Sequence, residues 1–340
     1  MHYLRSALKI ALPFALGGAI LWWMYRGFEW GTLRTALSSG MRWEWMWLSF
    51  PFGIMAQVLR GLRWRQLLAP MGERARRSTC VHAVFASYAS SLVVPRVGEV
   101  LRCGVLRRYD GVGMTRSIGT VVTERVVDMA MIMLFSLGVF LWQVPAFVLF
   151  ARQTGIGTHM LAGRFTTAGW VVTIVSIALI IATTLVLLRR LQLLTRTKAI
   201  LSDLRQGLLS VTHVQRPLLF MAYSAGIWAC YFLHFYLTFF CFDSTAQLGI
   251  SVAAIAFVVG TFAVLVPTPN GAGPWHFAVK TVCMLFGVAS DDGAIFALIV
   301  HTLQTLLVAA LGIEAAVALT FTSKRGTAQP PSPSPTDTQP

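Results

Sequence analysis

Apolar runs of membrane-crossing length recur from one end of this chain to the other, and they leave few folds open. Candidate spans are Leu8–Tyr25, Trp43–Leu59, Ile118–Trp142, Ala168–Leu188, Leu218–Cys241 and Ala294–Phe321. Each is long enough, or nearly so, to cross a hydrocarbon layer about 30 Å thick as a helix. Charged residues make up only 12% of the 340, half of what a soluble globule of about a quarter charged residues carries. The expected fold is therefore all-α, a polytopic membrane helix bundle filling residues 1–322. The stretch 323–340 is rich in Pro, Ser and Thr and is expected to be a disordered cytoplasmic tail. Leu8–Tyr25 has no small-x-small cleavage site behind it and a long apolar core, so it reads as a retained first span.

The formal net charge of +15 would suggest nucleic acid in a soluble protein. Here the basic residues gather between apolar runs, as cytoplasmic loops require, and nucleic-acid binding is excluded as a reading. The stretch from Arg60 to Arg77 carries Arg60, Arg63, Arg65, Arg74, Arg76 and Arg77. A second basic stretch runs from Arg189 to Arg216, and Lys324 and Arg325 flank the last span. Phe242–Ile250 and Gly287–Gly293 have no basic residue. This pattern is expected to place both termini in the cytoplasm, and the expected location is a bacterial inner membrane, crossed several times. Trp22, Trp23, Trp30, Trp43, Trp45, Trp47, Trp142 and Trp170 then fall near the outer surface, as an aromatic belt should. The five cysteines form no CxxC pair and read as small buried hydrophobes.

Two segments do not fit simple crossing. Thr79–Pro95 is apolar, yet arginines flank it on both sides, so both flanks belong in the cytoplasm. A re-entrant segment that turns near Pro95 and leaves as a second short helix resolves this. Late in the chain, Ser251–Val266 and Pro274–Val288 are short, and both outer flanks lack basic residues. That hairpin is expected to enter from outside, with PTPNGAGP (267–274) inside the membrane. The two re-entrant segments are then oppositely oriented, an inverted-repeat topology. Gly/Pro-broken apolar segments at matching places in two halves point to a transporter binding site.

Backbone that leaves the helix inside a membrane must be satisfied by protein or by water in a cavity, so 95–98 and 267–274 are expected to line a polar interior. Pro274 suits a first helical turn, Gly271 and Gly273 permit close backbone approach, and a helix N-terminus attracts anions such as phosphate. Thr268 and Asn270 supply polar side chains there. Arg96 and Arg102 add guanidinium groups, and Glu99 lies between them. Further on, Glu124 and Asp128 are four apart on one helical face, and Arg125 can pair with Asp128 at i, i+3. These charges serve either as a cavity-facing relay or as an internal lock, for example Glu124 to Arg102. His234, His276 and His301 are candidates for proton coupling, and His276 lies nearest the Gly-rich break. No catalytic signature and no metal-ligand cluster occurs in the sequence, so neither a cofactor nor an enzymatic role is expected.

Four motifs in order, Arg60-Gly-Leu-Arg-Trp-Arg-Gln-Leu-Leu, Pro95-Arg-Val-Gly-Glu-Val-Leu-Arg102, Glu124-Arg-x-x-Asp128 and Pro267-Thr-Pro-Asn-Gly-Ala-Gly273, resemble the lysylphosphatidylglycerol synthase transmembrane, or flippase-like, family. The resemblance covers about Leu8 to Phe321. Two-part members join this membrane domain to a cytosolic aminoacyl-lipid transferase, and this sequence has only a short tail there. The resemblance thus implies lipid translocation and not lipid synthesis. The chain departs from many relatives at His276, where they carry Glu.

The expected function is a lipid flippase or transporter that moves a phosphate-bearing, anionic or lipid-linked headgroup. Arg96, Arg102 and the helix end at Pro274 would hold the phosphate, with Glu99, Glu124 and Asp128 positioning the arginines. A membrane enzyme acting on a lipid-linked phosphate, with Glu124, Asp128 and His276 as acid/base groups, is one alternative. A non-transporting accessory of envelope assembly is another. The lipid, the direction, a coupling ion and the oligomeric state are left open by the sequence.

Overall fold

The computed structural model describes residues 2–26, 30–94, 97–154, 213–266 and 268–324. The chain divides into a main unit, Met1–Phe135 with Leu204–Pro340, and a second unit, Ser136–Asp203. The described residues are helical, with no strand among them. Helices α1 (His2–Tyr25), α2 (Trp30–Thr35), α3 (Trp43–Leu68), α4 (Arg77–Val93), α5 (Val97–Asp110) and α6 (Met114–Thr154) come first. After residue 213 follow α7 (Pro217–Tyr236), α8 (Gly249–Ala263), α9 (Pro274–Leu285) and α10 (Ser290–Thr320).

Among the described residues three helical stretches are long and apolar enough to cross a membrane: Met114–Gln143, Pro217–Cys241 and Ser290–Thr320. The protein is a multi-pass membrane protein, as its apolar runs require. The expected spans at Leu8, Trp43, Ile118, Leu218 and Ala294 all fall on helices. The expected span Ala168–Leu188, the basic stretch 189–212 and the tail from 325 lie outside the described residues.

Both breaks separate paired helices. α4 and α5 pack along each other, as do α8 and α9. Gly98 of α5 lies so close to α4 that a Cβ there would overlap the Ser87 carbonyl oxygen. At 1.5 Å per residue the four arms are roughly 26, 21, 22 and 18 Å long, from 17, 14, 15 and 12 residues. None reaches the roughly 30 Å of a hydrocarbon core.

Each hairpin has its own apolar core. Trp64, Leu68, Ala83, Val84, Cys103, Leu106 and Val121 join α3, α4, α5 and α6. Met46, Phe235, Phe239, Val279, Val282, Phe296 and Val300 join α3, α7, α9 and α10. Burial of such side chains stabilises by about 1.5–3 kcal/mol each relative to water. Four of the five cysteines are buried and all are free.

One sequence expectation is corrected here. Arg60, Arg63 and Arg65 do not belong to a loop. α3 continues unbroken to Leu68, where the Ala69–Met71 turn and Gly72 end it. Arg60 and Arg63 are fully buried. Their charge is met by protein carboxylates, so it need not reach the aqueous interface.

Candidate functional site

The buried ends of Arg60 and Arg63 meet α6. Arg60 Nη1 donates to Glu124 Oε1 at 2.9 Å and to Asp128 Oδ2 at 2.5 Å. Arg63 Nη2 donates to Glu124 Oε1 at 3.2 Å and to Asp128 Oδ1 at 2.6 Å. Arg102 of α5 donates from Nη1 to Glu124 Oε2 at 2.8 Å and stacks its guanidinium over Trp64 at 4.7 Å. The i, i+3 spacing of the two α3 arginines and the i, i+4 spacing of the two α6 carboxylates put each pair on one helical face. That is why two helices can build a four-charge cross. Ser224 of α7 accepts a further bond from Arg63 Nη1 at 3.2 Å.

The cluster is not neutral. Arg60, Arg63 and Arg102 bring three positive charges, and Glu124 and Asp128 bring two negative ones, a surplus of one. Arg125 and Glu99 form a separate, half-exposed ion pair at 2.9 Å, with Arg125 Nη1 also 3.6 Å from Asp128. Burying charge is costly unless it is paired, and these five residues meet that condition at all but a few atoms. Arg60 Nε, Arg63 Nε, and Arg102 Nε and Nη2 have no hydrogen-bond partner among the described residues. Arg60 lies against the rings of Tyr88 and Tyr231, 5.8 and 5.7 Å away, and Tyr231 donates to Tyr88 at 3.4 Å.

A cavity of about 480 Å³ opens beside this cluster. Arg60, Tyr88, Arg125, Asp128 and Tyr231 form one end. Asn270, Trp275, His301, Gln304 and Thr305 form another part of its wall, and apolar side chains such as Ile132, Phe257, Leu265, Leu307 and Leu311 complete it. Charges from α3 and α6 and the second hairpin's break thus share one chamber. Its size is in the range of small-molecule sites, and its make-up is amphiphilic.

At the second break Asn270 adopts the left-handed conformation, φ +51°, and Gly271 and Gly273 also have positive φ. Asn270 Nδ2 donates to Thr305 Oγ1 at 2.8 Å, and His301 Nε2 donates to the Asn270 carbonyl at 3.0 Å. Gly271 packs against Val264, and Gly273 against Gly17 O and Ile20 of α1. The Gly273 N–H donates to His276 Nδ1 at 3.3 Å. Thr268 is buried, and its hydroxyl has no partner among the described residues. His276 is buried with its ring 4.4 Å from that of His301.

The sequence-named residues therefore separate into three groups. Arg125, Asp128 and Asn270 face the chamber. Arg102 and Glu124 stand behind it, Glu99 holds Arg125, and Thr268, Gly271, Gly273 and His276 shape the second turn. Arg96 lies outside the described residues. The Arg102–Glu124 and Arg125–Asp128 pairs form as the spacing allowed. Arg60, Arg63, Tyr88, Tyr231, Thr305 and the chamber position of His301 were not singled out as a site by the sequence. The signal for the first two was their i, i+3 spacing directly after an apolar run, with no proline between Pro51 and Pro70.

A family model described as the lysylphosphatidylglycerol synthase TM region matches residues 10–312 of the chain. No curated protein and no solved structure matches it.

Proposed function

We propose that this chain, which belongs to the lysylphosphatidylglycerol synthase TM-region family, is a lipid flippase that moves a phosphate-bearing headgroup through the chamber between its two hairpins. The observation that carries the reading is the chamber itself. Arg60 and Arg125 stand at one end, beside a cluster with a surplus positive charge, and apolar side chains line the way to the polar turn at Asn270. A headgroup phosphate matches guanidinium donors, and acyl chains match the apolar walls. The family's name, which refers to a phospholipid synthase, agrees with a lipid as the ligand.

Carrier chemistry suits the carboxylates better than catalysis does. Glu124 accepts from three arginines and Asp128 from two, at 2.5–3.2 Å. An acid or base so held is a poor proton donor or acceptor for a substrate.

The hairpins are read as re-entrant, entering from opposite leaflets as an inverted repeat. Their arms are shorter than the hydrocarbon layer. In the first, Arg76 before α4 bonds Asp110 at the end of α5, with Nε–Oδ1 at 2.6 Å, so both outer ends lie together. Cysteine accessibility tests this: reagents confined to one side should label positions flanking both arms of a given hairpin. Labelling of the two flanks from opposite sides would defeat the re-entrant reading.

The transport reading is tested in proteoliposomes with fluorescent phosphatidylglycerol and a membrane-impermeant quencher. Wild type should raise the quenchable fraction to that expected of both leaflets. Arg125→Gln removes a half-exposed chamber cation that is not part of the buried cross, so folding should survive. Loss of one charge-assisted hydrogen bond, about 1.5–3 kcal/mol, predicts a transport rate lower by roughly ten- to a hundredfold. Fluorescent lipid that stays in its original leaflet with well-folded wild type would refute the proposal.

A further inference from the structure

The hydrogen bonds around the second turn fix the proton positions of two adjacent histidines. A backbone N–H can only donate, so His276 Nδ1, which receives the Gly273 N–H at 3.3 Å, carries a lone pair. A carbonyl can only accept, so His301 Nε2, at 3.0 Å from Asn270 O, carries a proton. His301 Nδ1 then faces Thr305 Oγ1 at 3.4 Å, and that hydroxyl already accepts from Asn270 Nδ2 at 2.8 Å. A threonine hydroxyl has one donor and two acceptor sites.

The two rings differ in what protonation would do. A proton on His276 Nδ1 would expel the Gly273 N–H and open the turn at the start of α9. A proton on His301 Nδ1 needs only that the Thr305 hydroxyl rotate. It would then accept from both Asn270 Nδ2 and His301 Nδ1, and its own hydrogen would be released. His301 and Thr305 both line the chamber; His276 does not. With ring centres 4.4 Å apart, both histidines cannot be cationic together at acceptable cost.

We propose that His301 is a proton-binding site coupled to the anionic headgroup: it takes up one proton as the phosphate enters, and Thr305 turns its hydroxyl hydrogen toward the phosphate. The idea rests on the reading of the chamber as a site for an anionic phosphate lipid. An anion beside His301 favours the imidazolium, and by linkage the imidazolium favours the anion. The groups facing the pair fit this assignment. Tyr25 of α1 meets the His276 ring edge-on at 6.5 Å, and Trp275 lies 5.2 Å from His301. Tyr88 of α4, Tyr231 and His234 of α7, and Arg60, Arg125 and Asp128 share the chamber. Asp128 is held by arginines, so no free carboxylate among the described chamber residues is available to satisfy His301 in place of the substrate.

The test is binding of short-chain phosphatidylglycerol to the purified protein in weakly buffered detergent, with a pH-indicator dye recording proton exchange. Wild type should take up about one proton per lipid bound. Its affinity should rise about tenfold for each unit the pH falls, over the range in which only the bound form is protonated. His301→Gln keeps an N–H donor for the Asn270 carbonyl and cannot titrate; it should bind without proton uptake and without pH dependence. His276→Asn keeps an acceptor near the Gly273 N–H and should retain both. Binding by wild type with no proton uptake, or uptake that survives in His301→Gln, overturns the proposal, as does an absence of binding at any pH. Proteoliposome transport separates the two ideas. Lipid that moves at a rate indifferent to an imposed pH gradient leaves the flippase and removes the coupling. Proton-linked binding without movement does the reverse.

Discussion

Glu124→Gln should lower the melting temperature of the detergent-solubilised protein more than any other single change to the charged cross. Three arginines share this carboxylate, and all three are buried. Removing one partner of a buried ion pair costs about 3–5 kcal/mol, because a charge is left uncompensated. For a chain of this size that corresponds to a fall of roughly 4–7 °C. The second arm is the double variant with Arg102→Met. It removes the cation that leans on Glu124 Oε2 at 2.8 Å and keeps the stack on Trp64 apolar. The double variant should recover part of the loss, with the strong non-additivity of residues in one network. Equal melting temperatures for wild type and Glu124→Gln would mean that the cross does not hold the helices together.

Gly98→Ala should part the first hairpin. A Cβ at this position would overlap Ser87 O and stand 2.6 Å from Ser91 Oγ and 2.7 Å from the Ser87 carbonyl carbon. Ser91 could swing its hydroxyl away, but the Ser87 backbone is locked in α4. In an open helix the same change would stabilise by about 0.8–1.0 kcal/mol. Here overpacking, about 1–3 kcal/mol or more against a backbone that cannot yield, outweighs it. Gly104→Ala in the same helix is the control, because nothing lies within 4 Å of its Cβ. Thermal unfolding should rank Gly104→Ala at or above wild type and Gly98→Ala well below, with transport lost in the latter. If the two variants behave alike, the close approach of α4 and α5 is not a constraint on the fold.

Much of this architecture was legible in the residues. Pro95 and the Pro267–Pro274 run marked the two breaks because proline and glycine punctuate helices for steric reasons that no packing removes. The helices around them begin or end within about three residues of the expected places. The pairing of Glu124 with Arg102 was also readable, since a carboxylate in an apolar stretch requires a cation. What stayed hidden was the identity of the other cations. Arg60 and Arg63 sit among enough arginines to look like an aqueous loop, and their partners lie more than 60 residues away. Charge counting alone treats every arginine as bound for water. Only the helical register, Arg60 with Arg63 and Glu124 with Asp128, distinguishes a buried cross from a solvated loop. The link between Asn270 and His301 was hidden for a different reason. It joins a turn to a helix through backbone and side-chain geometry that leaves no pattern in the residue order.

The fastening of Arg76 has a mechanical consequence. Its guanidinium and backbone N–H grip Asp110, and Nη2 reaches Tyr109 O and Ser323 O, each at 2.9 Å. The feet of α4 and α5 are thereby stapled to each other and to the chain just past α10. A hairpin closed at its base cannot spread its legs to let cargo through. It can swing only as one stiff lever, or stay still while other helices move around it.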